Sequence, residues 1–309
     1  MSTPRFGAVV TAMVTPFDAA GGVDLDGAVT LARWLADHGS DGLVLAGTTG
    51  EGPVLTDAER LDLFRAVAEA VTIPVLAGAG SNDTAHSVEL AKGAAAAGVD
   101  GLLVVTPYYN RPSQTGLFDH FAAVAAATDL PVVLYDIPVR SGRRIHQSTY
   151  MRLMSHSPNV VAVKDATGDP AGASRLLCHA RDGFELYCGD DALTLPLLSV
   201  GAVGLISVAS HWAGPEFGRM IAAYQSGDVE LARRVNVRLV ESYDFESSEE
   251  FPNPLPAKAA CRTLGLPVGH CRLPMGVAPP ELDGEAYRVL MRLGVLGASV
   301  GAPVGGSVG

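Results

Sequence analysis

Short apolar runs alternate with amphipathic segments from the amino terminus to about residue 210. Each run is rich in branched aliphatic residues and bounded by turn formers, which is typical of a buried strand rather than a helix. The intervening segments have helical spacing, and several begin with Asp, Ser or Thr in a capping position. The eight predicted strands are 8–14, 42–46, 75–78, 101–105, 132–135, 160–163, 185–188 and 203–208, and the helices predicted between them include 24–38, 57–71, 83–97, 115–127 and 192–200.

Eight strand–helix units with continuously apolar strands predict a parallel sheet that is covered by helices. Because eight strands close a barrel, we expect an α/β fold, a (β/α)8 TIM barrel, rather than an open doubly wound sheet. Beyond Ser210 the strand pattern stops, and helices separated by Pro and Gly are predicted at 217–225, 229–243, 256–264 and 282–293. We therefore predict a catalytic barrel over residues 1–225, a C-terminal helical domain over 226–297 and a disordered Gly-rich tail over 298–309.

Composition narrows the class of protein. The 309 residues are 48% hydrophobic and 18% charged, and no apolar run reaches the roughly 18 residues that a membrane span needs. The net charge of −11 disfavours nucleic acid as a partner. The first residues lack the basic and apolar regions of a signal peptide, which favours a cytoplasmic location. The four cysteines and eight histidines show no metal-site spacing, so we expect free buried thiols and no bound metal.

A lysine ends the sixth apolar run. Lys164 follows Val160–Val163 and precedes Asp165. Lysine is among the residues least often buried, because its ammonium group loses hydration there. Two interpretations fit this segment. The lysine is either a solvated strand-end residue or ion-pair partner of Asp165, or a desolvated neutral amine that attacks a carbonyl and forms a Schiff base.

Polar residues and turns also follow the other strands, and in a TIM barrel the carboxyl ends of the strands form the active site. Taken singly, each such residue is explained by packing, by capping or as a surface charge. Their coincidence on one rim favours a Schiff-base site for a keto acid. The residues are Thr48 and Thr49 in AGTTGEG, Tyr108 and Tyr109 in TPYYN, Tyr135 and Arg140 in LYDIPVRSG, Gly189 in CGDD and Ile206 in GLISVAS.

Schiff-base chemistry explains this set of residues. An imine between Lys164 and a 2-oxo acid withdraws electrons, so the neighbouring methyl group becomes an enamine nucleophile without a metal or another cofactor. Tyr135, Thr48 and a second tyrosine are candidates for relaying the protons. The turn at Thr48 and Thr49 offers N–H and hydroxyl donors to the keto-acid carboxylate, and the guanidinium of Arg140 suits the carboxylate of a second substrate.

Several longer motifs occur in order along the chain: TAMVTPF (11–17), GTTGE (47–51), VTPYYNRPSQ (105–114), LYDIPVRSG (134–142), VAVKDATGD (161–169), and then GDDALTLP, GLISV, PNPLPAKAAC and RLPM. In these motifs the chain resembles the dihydrodipicolinate synthase family of pyruvate-dependent class I aldolases, which also includes N-acetylneuraminate lyase. The resemblance covers the chain to about residue 295. It implies the condensation of pyruvate with L-aspartate 4-semialdehyde, followed by cyclisation, in lysine and diaminopimelate biosynthesis.

By position, the resemblance implies that Lys164 is the Schiff-base lysine. It implies that Thr48, Tyr135 and Tyr109 form a proton relay and that Tyr109 reaches into the site of a neighbouring subunit. Tyr108 and Tyr109 would then lie at a subunit interface. A homo-oligomer is therefore expected, and in this family it is most often a tetramer built as a dimer of dimers.

The resemblance also assigns the substrate pocket. Thr49 would help to hold the pyruvate carboxylate, Arg140 would bind the carboxylate of the aldehyde, and Gly189 and Ile206 would line the pocket. In sialic acid lyases, the corresponding motif resembles GSTGE, and no arginine follows the YNIP motif. This chain instead has GTTGE and Arg140.

Two alternatives remain open at this point. The first is another pyruvate-dependent aldolase that uses the same imine with a sugar acid or a hydroxyproline-derived acceptor. The second is a catalytically silent paralogue that binds a keto acid as a sensor or scaffold. A silent paralogue is expected to have lost the lysine or a relay hydroxyl, and the chain retains all of them.

The chain departs from the family at the positions associated with feedback inhibition. Synthases inhibited by lysine generally carry acidic and imidazole side chains in an interface pocket. Asn82 is retained here, but Asp57 and Arg60 replace two expected histidines, and His86 replaces an acid. We therefore expect weak or absent inhibition by lysine. The acidic segment FESSEEF, residues 245–251, has no functional explanation from the sequence.

Overall fold

The computed structural model describes residues 3–246 and 248–296. Eight strands form one closed parallel barrel in chain order, in which β1 pairs with both β2 and β8. The predicted TIM barrel is therefore confirmed. The strands are β1 (Val9–Ala12), β2 (Gly42–Leu45), β3 (Val75–Gly78), β4 (Gly101–Val105), β5 (Val132–Asp136), β6 (Val160–Asp165), β7 (Glu185–Cys188) and β8 (Gly204–Ser207).

Helices connect the strands and continue beyond the barrel. Several begin at a side chain that accepts a hydrogen bond from the first turn, as Asp24 does from the amide of Gly27 at 2.8 Å. The helices are α1 (Leu25–Asp37), α2 (Asp57–Ala68), α3 (Thr84–Ala96), α4 (Gln114–Ala125), α5 (Pro138–Ser141), α6 (Gln147–His156), α7 (Pro170–His179), α8 (Thr194–Leu198), α9 (Ser210–Gln225), α10 (Val229–Glu246), α11 (Leu255–Thr263) and α12 (Pro280–Leu293).

Helix α9 differs most from the prediction. It begins at Ser210 rather than at residue 217, and it contains Pro215. Proline normally ends a helix because it lacks an N–H donor and its ring crowds the preceding turn. Here the backbone of Ala213 leaves helical geometry, with φ of −117° and ψ of 15°, and the resulting kink accommodates the proline.

The core has two layers. Side chains that point inward from alternate strand positions, such as Val10, Val44 and Leu76, fill the barrel. A larger cluster lies between the strands and the helices, and it continues into the C-terminal helices through Leu239 and Leu290. The C-terminal helices thus pack on the barrel as one continuous core. The domain boundary at residues 225/226 stays a prediction, and the predicted tail at 298–309 lies outside the described residues.

The four cysteines are free, as expected, but the expectation that all of them are buried is wrong. Cys188, Cys261 and Cys271 are buried, whereas Cys178 is exposed on α7. In the described part of the chain, no helix has the length and apolar character that crossing a bilayer requires.

Candidate active site

A cavity of about 440 Å³ opens at the carboxyl ends of the strands. The structure brings five of the predicted residues into its wall: Thr48, Tyr108, Tyr109, Tyr135 and Arg140. The other four are not part of this wall: Lys164, Thr49 and Ile206 are buried, and Gly189 is half-buried.

Lys164 points into the barrel from β6, next to Tyr135 on β5. The two residues are directly paired in the strand register, and Lys164 Nζ lies 4.5 Å from the centroid of the Tyr135 ring. Lys164 is only 4% exposed. Tyr135 itself lines the cavity, so the ammonium or amine group sits directly behind the cavity wall.

The chain has three lysines, and their environments differ. Lys92 is on the surface and pairs with Glu89 at 2.8 Å, and Lys258 is buried and pairs with Glu51 at 2.8 Å. Within the described residues, no carboxylate lies within ion-pair distance of Lys164. Both ordinary interpretations of Lys164, a solvated lysine and a partner of Asp165, are therefore wrong for this structure.

Gly189 shapes the surroundings of Lys164. A Cβ atom on Gly189 would lie 2.9 Å from Lys164 Cγ and 3.0 Å from its Cε, so the lysine side chain occupies the space that a larger residue would need. Ile206 on β8 is buried in the barrel interior, in the same cluster as Tyr135.

The turn after β2 carries the two threonines. Its backbone takes left-handed conformations at Ala46 and Glu51, with φ of 50° and 54°. Thr49 is buried, and its hydroxyl accepts a hydrogen bond from Asn253 Nδ2 at 3.0 Å. The amides of Thr48 and Thr49 donate to no other described residue, so they are available to an anion.

The loop after β4 presents Tyr109 to solvent. Tyr109 is 91% exposed and has a φ of 72°, a conformation that is uncommon for a residue with a side chain. Tyr108 beside it is half-buried. Within the described chain, no hydrogen bond joins the hydroxyls of Thr48, Tyr135 and Tyr109, so the predicted relay is not formed by one subunit alone.

Arg140 lies on the one-turn helix α5, which follows β5. It is exposed and lines the cavity. In the part of the chain that the structure describes, no carboxylate is within ion-pair distance of Arg140. Its guanidinium is therefore free to bind a carboxylate from outside the chain.

Sequence reasoning missed the contribution of the C-terminal helices to this site. Lys258 on α11 pairs with Glu51 and donates to the carbonyl of His270 at 2.8 Å. The amide of Arg272 donates to the other oxygen of Glu51 at 2.9 Å. Asn253 and Arg272 also line the cavity. The motifs PNPLPAKAAC and RLPM contain these residues and were the only signal for them.

Two of the positions that the resemblance links to feedback contact each other. His86 Nε2 lies 2.9 Å from Asp57 Oδ1. Arg60 is buried, lines the cavity and donates a hydrogen bond to the carbonyl of Gly52. Burial lowers the pKa of Arg60 below its usual value.

The next feature is the distribution of side chains that could bind a metal ion. Across residues 3–246 and 248–296, the structure has no cluster of three or more His, Cys, Asp or Glu side chains that is arranged to hold a metal ion.

The fold is that of a TIM-barrel enzyme, with a cavity at the carboxyl ends of the strands and a buried lysine beside it. A family model described as the dihydrodipicolinate synthetase family matches residues 5–291. The chain therefore belongs to this family.

Named relatives agree with that assignment. The chain is 49% identical over 294 residues to a 4-hydroxy-tetrahydrodipicolinate synthase from Moorella thermoacetica, covering 94% of this chain and 100% of the relative. It is 50% identical over 287 residues to 4-hydroxy-tetrahydrodipicolinate synthase 2 from Streptomyces coelicolor, covering 91% and 94%. Among solved structures, the lysine-bound dihydrodipicolinate synthase from Cyanidioschyzon merolae superimposes with a TM-score of 0.92 at 44% identity, covering 95% of this chain and 100% of that one.

Proposed function

We propose that this enzyme is a lyase that condenses pyruvate with L-aspartate 4-semialdehyde to give 4-hydroxy-tetrahydrodipicolinate, in lysine and diaminopimelate biosynthesis. The activity named for its relatives supports this reaction. The single structural observation that carries it is the environment of Lys164, which is buried and is the one lysine without a carboxylate partner among the described residues.

In the proposed mechanism, the Lys164 amine attacks the ketone carbon of pyruvate, and the carbinolamine loses water to give an iminium. The iminium withdraws electrons, so a proton leaves the methyl carbon and an enamine forms. The enamine carbon then attacks the aldehyde carbon of the acceptor. The amine of the acceptor finally closes the ring by displacing Lys164 from the imine carbon. The iminium supplies the electron sink, so the reaction requires no external cofactor.

The other residues have roles that match their positions. Thr48, Tyr135 and a Tyr109 from a neighbouring subunit relay protons to and from the carbinolamine oxygen. The amides of Thr48 and Thr49 hold the pyruvate carboxylate, and the unpaired guanidinium of Arg140 binds the carboxylate of the aldehyde. Gly189 and Ile206 leave room for Lys164 and its adduct.

Borohydride trapping tests this proposal. The protein is incubated with pyruvate, reduced and digested, and the added mass is located by mass spectrometry. We expect the adduct on Lys164, with Lys92 and the equally buried Lys258 as internal controls that stay unmodified because both are ion-paired. An unmodified Lys164 in folded protein would remove the aldolase mechanism and favour a silent keto-acid-binding paralogue. Once an adduct is found, rates with aspartate semialdehyde and with sugar-acid aldehydes identify the acceptor.

The proposed enzyme is a homo-oligomer, and the family resemblance implies a tetramer built as a dimer of dimers. The exposure of Tyr109 supports an oligomer, because its hydroxyl bonds to neither Thr48 nor Tyr135 of its own chain and is available to a neighbour's site. The cytoplasmic location expected from the sequence stays a prediction.

We also propose that lysine inhibits the enzyme weakly or not at all. The hydrogen-bonded pair of His86 and Asp57 and the buried guanidinium of Arg60 occupy the positions where lysine-inhibited enzymes carry imidazole and acidic groups. The guanidinium of Arg60 repels the ammonium groups of lysine. Initial rates measured against lysine concentration check this, and half-inhibition at micromolar lysine would contradict it.

A further inference from the structure

A second cavity, of about 350 Å³, lies outside the barrel between α6 and α7. It is at the carboxyl ends of β5 and β6, behind the strands that carry Tyr135 and Lys164. Its wall shares no residue with that of the candidate active site. The proposed function does not use this cavity.

Asp136 is the least exposed residue of the second cavity, with 1% of its surface exposed. Its Oδ2 atom accepts hydrogen bonds from the amide of Ile145 and the hydroxyl of Tyr150, each at 3.1 Å. Its Oδ1 atom has no hydrogen-bond partner among the described residues. Because an unpaired buried acceptor is costly, this oxygen calls for a partner from outside the chain.

Two further oxygen-bearing side chains line the same cavity. Asp165 is buried and directly opposite Asp136 in the register of β5 and β6. Its Oδ1 atom accepts from the amide of Thr167 at 2.8 Å. The hydroxyl of Thr167 is buried without a hydrogen-bond partner in the described chain. Carboxylate and hydroxyl oxygens are the ligands that hard cations prefer.

The charges around the cavity favour a single positive charge. At its rim, Arg144 and Arg175 both pair with Asp169, at 3.0 Å and 3.5 Å. The two guanidinium groups share one carboxylate, so the rim keeps one net positive charge, whereas the two carboxylates of the floor form no ion pair among the described residues. A divalent ion such as calcium normally takes six or more oxygen ligands, several of them carboxylates, and two guanidinium groups nearby disfavour a double charge.

We propose that this cavity binds a monovalent cation of the size of potassium or ammonium, held by Asp136, Asp165 and Thr167. The space that remains suits water molecules that complete the coordination of the ion. The site lies immediately behind the proposed catalytic strand ends, because Asp136 follows Tyr135 and Asp165 follows Lys164.

Equilibrium dialysis of the full-length protein with rubidium, a potassium analogue, tests the proposal. The buffer contains tetramethylammonium as its only other cation, since that ion has no N–H donor and its methyl groups keep the charge away from oxygen ligands. We expect about one rubidium ion per chain, displaced by potassium and ammonium. Asp136→Asn and Asp165→Asn are each expected to weaken binding at least tenfold.

The matched control is Asp62→Asn, which removes an exposed acid that pairs with Arg65 on α2, far from this cavity in the fold. It is expected to bind rubidium as the wild type does. Thr167→Val serves as a milder variant if an aspartate variant fails to fold. The proposal is overturned if rubidium does not saturate near one ion per chain, or if binding persists unchanged in the folded variants. Displacement by amino acids alone would also overturn it, because the occupant would then be a zwitterion.

Discussion

At the residue scale, the position of the Lys164 side chain depends on the absence of a side chain at Gly189. A Cβ atom there would meet Lys164 Cγ at 2.9 Å and both Lys164 Cε and Ala166 Cβ at 3.0 Å. The replacement Gly189→Ala therefore forces the lysine to move. Because small displacements of a reacting group reduce rates strongly, we expect kcat to fall by about 10- to 100-fold. Steady-state kinetics and the rate of borohydride trapping measure the effect.

Gly218→Ala is the matched control, since this glycine is on α9 and a Cβ atom there meets nothing within 4 Å. It is expected to leave trapping unchanged and to raise the free energy of unfolding by about 0.5–1 kcal/mol, because alanine favours a helix over glycine. Equal trapping rates in Gly189→Ala and wild-type protein would show that Lys164 has more space than its contacts indicate.

The sequence predicts which residues lie near the site better than it predicts where they point. In a strand that is buried on both faces, apolar residues fill both sides, so their pattern does not show which side faces the barrel interior. The structure places Lys164 and Tyr135 inward. Asp165 and Asp136, which follow them, line the cavity outside the barrel. This alternation separates the two cavities, and it was not predictable from the apolar run.

At the element scale, a buried ion pair connects α11 to the turn after β2. Lys258 is fully buried against Glu51 and lies 4.0 Å from the centroid of the Phe17 ring. Lys258→Met removes the cation and leaves a buried carboxylate unpaired. We expect the free energy of unfolding to fall by about 3–5 kcal/mol, as is typical when one partner of a buried pair is removed. Chemical denaturation measures this change.

The double variant Glu51→Gln with Lys258→Met tests the cause. Glutamine keeps an acceptor for the amide of Arg272 but carries no charge. If the unpaired charge is responsible, the double variant is more stable than Lys258→Met alone. Equal stabilities would assign the loss to packing instead.

An ion pair between Arg272, in the segment after α11, and Glu59 on α2 gives the fold a pH dependence. The hydrogen bond from Arg272, with a smaller contribution from Thr56, lowers the pKa of Glu59 to about 2. The stabilisation is therefore complete above pH 4.5, the pKa of an unperturbed glutamate, and is lost as the pH falls towards 2. Glu59→Gln keeps the cap on α2 and removes the charge. It is expected to cost about 1–2 kcal/mol at pH 6, because partial exposure screens the pair.

Denaturation curves of wild-type protein and Glu59→Gln at pH 6 and pH 3 check this pH dependence. The difference in the free energy of unfolding is expected to shrink at the lower pH. A difference that is constant with pH would mean that the effect comes from the cap of the helix rather than from its charge.

The contribution of the C-terminal helices was the least predictable part of the site. Thr49 bonds to Asn253, which is 204 residues away in the chain, and Glu51 accepts from Arg272, 221 residues away. The periodicity of apolar residues predicts single helices and strands. It does not show which residues from distant parts of the chain contact each other. Proline also gave a wrong helix start at α9, because the kink at Ala213 is a tertiary feature.

At the scale of the whole molecule, the proposed site requires two subunits. Tyr109 is 91% exposed in one chain, yet the proposed relay needs its hydroxyl near Tyr135. If the tyrosine comes from a neighbour, two inactive variants complement each other. Lys164→Ala lacks the nucleophile but still donates Tyr109, and Tyr109→Phe keeps Lys164 but donates no hydroxyl. A mixed dimer has two sites, and only one of them contains both Lys164 and a Tyr109 from the neighbour.

Random reassociation of equal amounts gives mixed dimers in half of the assemblies, so activity is expected to recover to about a quarter of the wild-type value. Each variant by itself, carried through the same dissociation and reassociation, is the control. Size-exclusion chromatography with light scattering measures the assembly in the same samples. Recovery in proportion to the mixed dimers would place the two groups on different subunits. Failure to recover in samples that do contain mixed dimers would place the relay tyrosine and the lysine in one chain, and the exposed position of Tyr109 would then need another explanation.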